Sequence, residues 1–391
     1  ETNFKVTNDS DANRKINRLI KAGMPEHASE ILRELLNRTT KDDVIEDFKY
    51  KLANTYMLMY DKTNYYLEKA KELYKDIISD YSQGIHTKNS KMYIDEILMR
   101  QGFLNPSVVA AKYQYVEKIK QKALLQELIN DRNDKKYELI MKSEKVYKKV
   151  SNEIVNRFGY ENMDEIFDEV NIELIKDYLA QGKCSEISDA LKTARSKTLE
   201  KLIEDESVKY NFFECLVESP YERAYLQIKD TFNKTRDANI YLYLERMAFS
   251  LDLMEEALDF SSKVEMVNDD KILAKEFIYR YQISKSKNEP NIMEKFFLYA
   301  TANKEYIKSN ESNPIIIDFY HDYYLFLLKN DDKKLANEIL LKLYNKQKEV
   351  KAFIYSPFVE SELARLSKQS SNIQESINYL LESLENTRKI K

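Results

Sequence analysis

A chain of 391 residues with 62 Lys and Arg against 66 Asp and Glu carries a net charge of −4, so no overall field draws in nucleic acid or an anionic membrane. Only 5 Gly and 6 Pro are present, too few for the turn-rich all-β and doubly wound α/β classes, so the composition predicts an all-α chain of about 70–80% helix. No run of about 18 apolar residues is available to cross a bilayer.

The chain starts at Glu1 rather than Met, which marks a processed or excised product. A first helical hairpin is predicted over residues 11–37. Ile16, Leu19 and Ile20 form one face, Gly23 and Pro25 the turn, and Ala28, Leu32 and Leu35 the other face. A second follows, with Leu52, Ala53 and Tyr56 ahead of Ala70, Tyr74 and Ile77 and an insertion around residues 61–65. From residue 106 to 150 the apolar positions Tyr113, Val116, Ile119, Ala123, Leu124 and Leu128 continue without a turn until 130–134, which predicts one or two longer helices.

Residues 111–150 hold 11 Lys and Arg against 6 Asp and Glu. An acidic stretch of Glu161, Asp164, Glu165, Asp168, Glu169, Glu173 and Asp177 follows. Such neighbours are read first as solvated helix faces, and second as patches that steer a partner or pair two copies.

Beyond residue 160 the hairpin pattern returns. Ile187, Leu191 and Ala194 form a loose copy of the second-helix spacing, and Met293, Phe297, Ala300 and Ala336, Leu340, Leu343 form closer ones. In the best instance Tyr241, Leu244 and Ala248 precede a turn at Asp252, with Ala257, Phe260 and Val264 after it. Tyr320, Tyr323, Tyr324 and Leu327 supply another first helix, and Leu363 and Ala364 precede a last second helix with Ile377, Leu380 and Leu381. The recurrence, roughly 33 to 43 residues, is that of an α-solenoid of about eight to ten hairpins, each sheltering its apolar face only against its neighbours. The predicted organisation is repeats over 1–105, connecting helices over 106–160 and repeats over 161–391, in one continuous superhelix.

Chemistry finds little material. Gly23, Gly84, Gly102, Gly159 and Gly182 are isolated, so neither a P-loop nor a dinucleotide fingerprint can be written. His27, His86 and His321 lie far apart, and with two cysteines they form none of the usual zinc patterns. No catalytic, cofactor-binding or metal-binding residues are assigned. Cys184 and Cys215, 31 residues apart, fall on successive helices; two partly buried thiols are the preferred reading and a disulfide the other. Tyrosine is the unusual residue, with 29 copies beside 17 Phe and no Trp. Its flat ring and hydroxyl suit both a thin core and a wet protein interface.

The order of aromatic, Leu and small residue on one helix, then small, aromatic and small on the next, resembles the tetratricopeptide repeat. The resemblance covers most of the chain in degenerate form, without the repeat's Trp and mostly without its closing Pro. It implies a right-handed α-solenoid, a protein partner, no cofactor, and groove-lining positions at Asn239, Arg246, Phe249, Asp318, His321 and Leu325. The Lys/Asn/Ile/Tyr-rich, irregular repeats are similar to periplasmic tetratricopeptide proteins of ε-proteobacterial flagellar motors. That likeness implies a periplasmic scaffold, a partner that is another repeat protein of the motor disk, no small-molecule substrate, and a chain that is the C-terminal part of a longer one. The alternative is a cytoplasmic regulator whose similar array senses a short peptide.

Overall fold

The structure, a computed structural model, describes residues 9–59 and 64–390. It is 79% helical, with twenty-four helices and no strand among the described residues, as the composition predicts. The chain folds into two compact units, Glu1–Ala180 with Thr193–Lys201, and Gln181–Lys192 with Leu202–Lys391.

The first unit opens with α1 (Asp9–Lys21), α2 (Pro25–Arg38), α3 (Asp42–Leu58), α4 (Tyr65–Asp80) and α5 (Thr87–Arg100). α1 packs on α2 and α3 on α4, and α2 and α4 each pack on the helix that follows. The repeating small–large–large spacing faces inward in each: Ala28, Leu32, Ala70, Tyr74 and Ile77 are buried. The insertion predicted around 61–65 falls mainly on 60–63, outside the described residues; Tyr65 begins α4.

The stretch 106–160 follows expectation in part: between α6 (Pro106–Lys112) and α8 (Tyr137–Lys142), α7 (Glu117–Asn133) is one longer helix that ends at the predicted 130–134 turn, but α6, α8, α9 (Glu144–Tyr147) and α10 (Asn152–Arg157) are short. The first break lies at Tyr113, the C-cap of α6, whose hydroxyl donates to Asp95 on α5 at 2.6 Å. Lys135, in the left-handed region at φ 58°, ends α7. α11 (Met163–Gln181) follows and meets the basic stretch with its acidic face: Arg132 pairs with Glu169 at 2.7 Å and Lys148 approaches Asp164 at 3.9 Å. The basic and acidic stretches therefore bind one another here.

Next come α12 (Cys184–Thr193), α13 (Ser196–Glu204), α14 (Lys209–Glu218), α15 (Glu222–Thr231), α16 (Ala238–Ser250), α17 (Met254–Val267), α18 (Asp270–Lys287) and α19 (Pro290–Ala302). The second unit then continues through α20 (Lys304–Ser309), α21 (Ile316–Lys329), α22 (Lys333–Val350), α23 (Phe358–Gln369) and α24 (Ile373–Ile390). α16–α17, α21–α22 and α23–α24 are tightly packed hairpins, and α17–α18 and α22–α23 join successive ones. Leu244, Ala248, Ala257, Phe260 and Val264 are buried, as are Tyr320, Tyr323, Tyr324, Ala336, Leu340 and Leu343. Turns that elsewhere need Gly are made by Asp252, Asp331 and Ser371 at φ near +60°. Asn and Asp tolerate that region better than other side chains, which is how the chain closes hairpins with so few glycines.

Two expectations are corrected. Cys184 and Cys215 form a disulfide joining α12 to α14 across the intervening α13, their Cα atoms lying 4.8 Å apart. Ile377, Leu380 and Leu381, placed by their spacing on an inward face, lie exposed on α24.

The hairpins are tied by a recurrent polar contact. A tyrosine ring packs in the core or, for Tyr243 and Tyr355, lies half-buried at its edge, and its hydroxyl donates to a carboxylate about one repeat away. In the second unit the pairs are Tyr225–Glu256, Tyr243–Glu214, Tyr281–Asp322, Tyr306–Asp270, Tyr324–Glu362, Tyr344–Glu382 and Tyr355–Asp318. The separations run from 29 to 41 residues. A hydrogen bond to an ionised acceptor, partly removed from water, is worth about 1.5–3 kcal/mol. Tyr281→Phe is expected to cost about 1–2 kcal/mol, read as a lower midpoint in urea, and an unchanged midpoint would dismiss the contact as a contributor. Reducing the disulfide is expected to lower Tm, since the cross-link closes a loop worth roughly 3–4 kcal/mol of chain entropy. Two free thiols titrating in the unreduced native protein would contradict the bridge.

Candidate partner-binding site

The six residues that the repeat pattern places on a groove all lie in the second unit, in two groups. Asn239, Arg246 and Phe249 belong to α16, and Asp318, His321 and Leu325 to α21. α18 packs on α16 and also reaches α21, where the Tyr281 hydroxyl donates to Asp322 at 2.7 Å.

Asn239 is exposed in the first turn of α16, with its backbone N–H held by the Asp237 carboxylate at 2.8 Å. Asp237 is the N-cap that starts this helix. Phe249 is half-buried at the other end. Arg246 is engaged rather than free. Its guanidinium forks onto Glu214 of α14 with two contacts of 2.8 Å, and lies 4.6 Å from the Tyr279 ring centre and 5.6 Å from that of Tyr243. Tyr243 in turn packs against Tyr210, ring centres 5.7 Å apart. Helices α14, α16 and α18 thus present a strip of half-buried Tyr210, Tyr243 and Tyr279 around a largely covered Arg246, whose side chain is 14% exposed. Burial alone would raise Glu214; the Arg246 fork outweighs it and holds the carboxyl below its usual range.

On α21, Asp318 accepts from the Tyr355 hydroxyl. His321 stacks on the Tyr355 ring at 4.0 Å, and its Nδ1 lies 3.0 Å from Asp322. Asp322 sits below its usual range: burial pushes it up, but Lys285, Tyr281 and His321 together more than offset this. Leu325, 43% exposed, projects from the same helix. The first unit repeats this pairing, with His86 stacked on Tyr50 at 4.0 Å and its Nε2 3.3 Å from Asp47. Both histidines act as packing groups against a neighbouring tyrosine.

Two features beside these helices escaped the sequence pattern. A surface hollow of about 510 Å³ is lined by Arg236, Tyr241, Lys263, Met266 and Val267. Behind the strip lies a buried charge cluster. Glu245 and Glu276 have no solvent exposure. Glu276 accepts from Ser261, and Arg280 reaches it at 4.0 Å while pairing with Glu265 at 2.7 Å and lying 4.4 Å from the Tyr299 ring centre. Both oxygens of Glu245, Oε2 of Glu276, Nε of Arg246, Nη1 of Arg280 and the Tyr299 hydroxyl find no hydrogen-bond partner among the described residues. Burial, then the charge of Glu276, raises Glu245 well above the usual carboxyl range. Burial pushes Glu276 up to about 7, with Arg280 and Ser261 pulling it back.

No family profile matches the chain, and no curated protein matches it. Solved structures that match include that of the APC/C hetero-tetramer Cut9–Hcn1, at 14% identity over 98% of this chain and 80% of that one, with a TM-score of 0.26. A circular tandem repeat protein with a novel repeat topology matches at 16% identity over 97% of this chain and 89% of that one, with a TM-score of 0.17. At such scores neither superposition carries an argument, and the α-solenoid class rests on the helices themselves.

The buried pair makes stability depend on pH. Unfolded, Glu276 titrates near 4.5, and folded near 7. Between those values the native protein holds the extra proton, so its stability falls as pH rises. Glu276→Gln is expected to flatten the fall in Tm between about pH 5 and pH 8 and to raise Tm by several degrees at pH 8. A variant that melts lower than wild type at pH 8 would show that the ionised carboxylate is needed there.

Proposed function

We propose that the chain is a non-enzymatic scaffold that grips a protein partner along the α14, α16, α18 and α21 faces of its second unit. The strip of Tyr210, Tyr243, Arg246 and Tyr279 is the observation that carries this reading. Tyrosine and arginine are enriched in the energetic centres of protein interfaces. Here they are already fixed by stacking and by the Glu214 fork, so a partner loses little side-chain entropy in ordering them. Exposed Leu325 and half-buried His321 add a further apolar edge. The shifted carboxyls Glu245 and Glu276 are sealed from solvent, where no substrate reaches them, which favours gripping over chemistry.

The finer reading is a periplasmic component of a flagellar motor disk, of the kind that includes paralysed-flagellum protein A, with another repeat protein of the disk as its partner. Its support is the composition and irregular repeat style, together with the Cys184–Cys215 bridge, which suits an oxidising compartment. Affinity capture from the native organism, with wild-type and Leu325→Glu baits compared by mass spectrometry, tests both levels. Stator or disk proteins are expected on the wild-type bait and at least tenfold fewer on L325E, at equal Tm. Recovery of only a short peptide or a response regulator would replace this reading with the cytoplasmic sensor.

A further inference from the structure

The last helix is amphipathic the wrong way round. α24 turns Ser376, Ser383 and Asn386 into the protein, where all three are buried. Ser376 Oγ donates to the Ala364 carbonyl at 2.8 Å, and Asn386 Nδ2 donates to Glu360 at 2.9 Å. The opposite face shows Ile373, Ile377, Leu380, Leu381 and Leu384 to solvent, with 44–68% of each side chain's surface open. A helix that buries its polar side and displays its aliphatic side is strongly disfavoured in water unless something covers it.

We propose that a second copy of this chain covers it, through an antiparallel pairing of the two α24 helices about a two-fold axis. The stripe itself points to this occupant. Its positions 373, 377, 380, 381, 384 and 388 are separated by four, three, one, three and four residues, the same read from either end. An antiparallel copy therefore superposes the stripe on itself. Leu380 and Leu381 meet their equivalents at the axis, Ile377 lies over Leu384, and Ile373 lies over the aliphatic stem of exposed Arg388.

The rim is compatible with a copy. Gln374, Asn378 and Glu385 lie along one edge of the stripe, and the two-fold operation brings each Glu385 beside the second copy's neutral Gln374 and Asn378. The two Glu385 carboxylates stay roughly 13 Å apart along the axis. No like charges face one another among the described residues. A membrane surface would ask for a basic rim, and among the described residues the stripe's border has one acid, Glu385, and one base, Arg388. The covered area, on the order of 1,000 Å² in total, is that of a reversible dimer.

Sedimentation of the whole chain, disulfide intact, should show a monomer passing to dimer as concentration rises to about 100 µM. Leu380→Glu should remain monomeric throughout at unchanged Tm, because that side chain is open to solvent. The register is tested by single cysteines. Leu381→Cys lies beside its equivalent and should oxidise to a covalent dimer, whereas Ile373→Cys, roughly 22 Å from its own, should not. Wild type that stays monomeric over the whole range overturns the proposal. So does cross-linking through Ile373→Cys as readily as through Leu381→Cys, which is a parallel pair. Dimerisation that survives Leu380→Glu overturns it too, by placing the contact elsewhere.

Discussion

A hydroxyl on the tip of an otherwise apolar ring is the group on which this architecture depends. In the second unit the tyrosine rings fill the space between helices and their hydroxyls stop at a carboxylate about one repeat away in sequence. Phenylalanine would fill the same volume and leave the carboxylate half-buried without its donor. Tryptophan would demand more room than a pair of closely packed helices gives. The contact also fixes charge. Glu256 is held below its usual range, first by Lys229 and then by the Tyr225 hydroxyl, while burial and the adjacent carboxylate push Tyr243 and Tyr324 up to about 12. Each partner thereby keeps the protonation state that the bond requires across the whole physiological range.

The same economy of short-range ties governs the candidate binding face. Arg246 is held by Glu214 of a preceding helix and by Tyr279 of a following one, so three helices are registered through one side chain. Directly behind it, Glu245 and Glu276 are excluded from water, Ser261 bonds Glu276, and Arg280 lies over the Tyr299 ring, tying α17, α18 and α19. Rings already held by stacking and by the Glu214 fork lose little freedom when a partner covers them.

Much of the fold is legible in the chain. Offsets of four and three from a small residue locate the buried faces of α2, α4 and α22, because only side chains on one helical stripe can meet a neighbour. The hairpin at Asp252 is legible for a related reason, since few residues other than Gly, Asn and Asp accept a left-handed turn. Local pattern fails where a distant partner decides. Tyr113 at the break finds its partner on α5, in Asp95, and the Cys184–Cys215 bridge depends on α12 and α14 being brought together. Ile377, Leu380 and Leu381 have inward spacing but belong to a helix whose Ser376 and Asn386 are bonded to the preceding helix instead. The proposed site is less legible than the fold. Position in the repeat offers Arg246 and Leu325 as candidates, whereas Glu214, Tyr210 and Tyr279 come beside them only once neighbouring helices are stacked.

The bridge between α12 and α14 also bears on how the molecule answers tension. Helical pairs held together chiefly by contacts with their neighbours peel apart one after another when a chain is pulled from its ends. Closing Cys184 onto Cys215 removes the intervening segment from that process, withholding roughly 100 Å of contour length that the extended chain would otherwise release. The oxidised protein is therefore a shorter tether than the reduced one, with a stretch around α13 that no longitudinal pull can unravel.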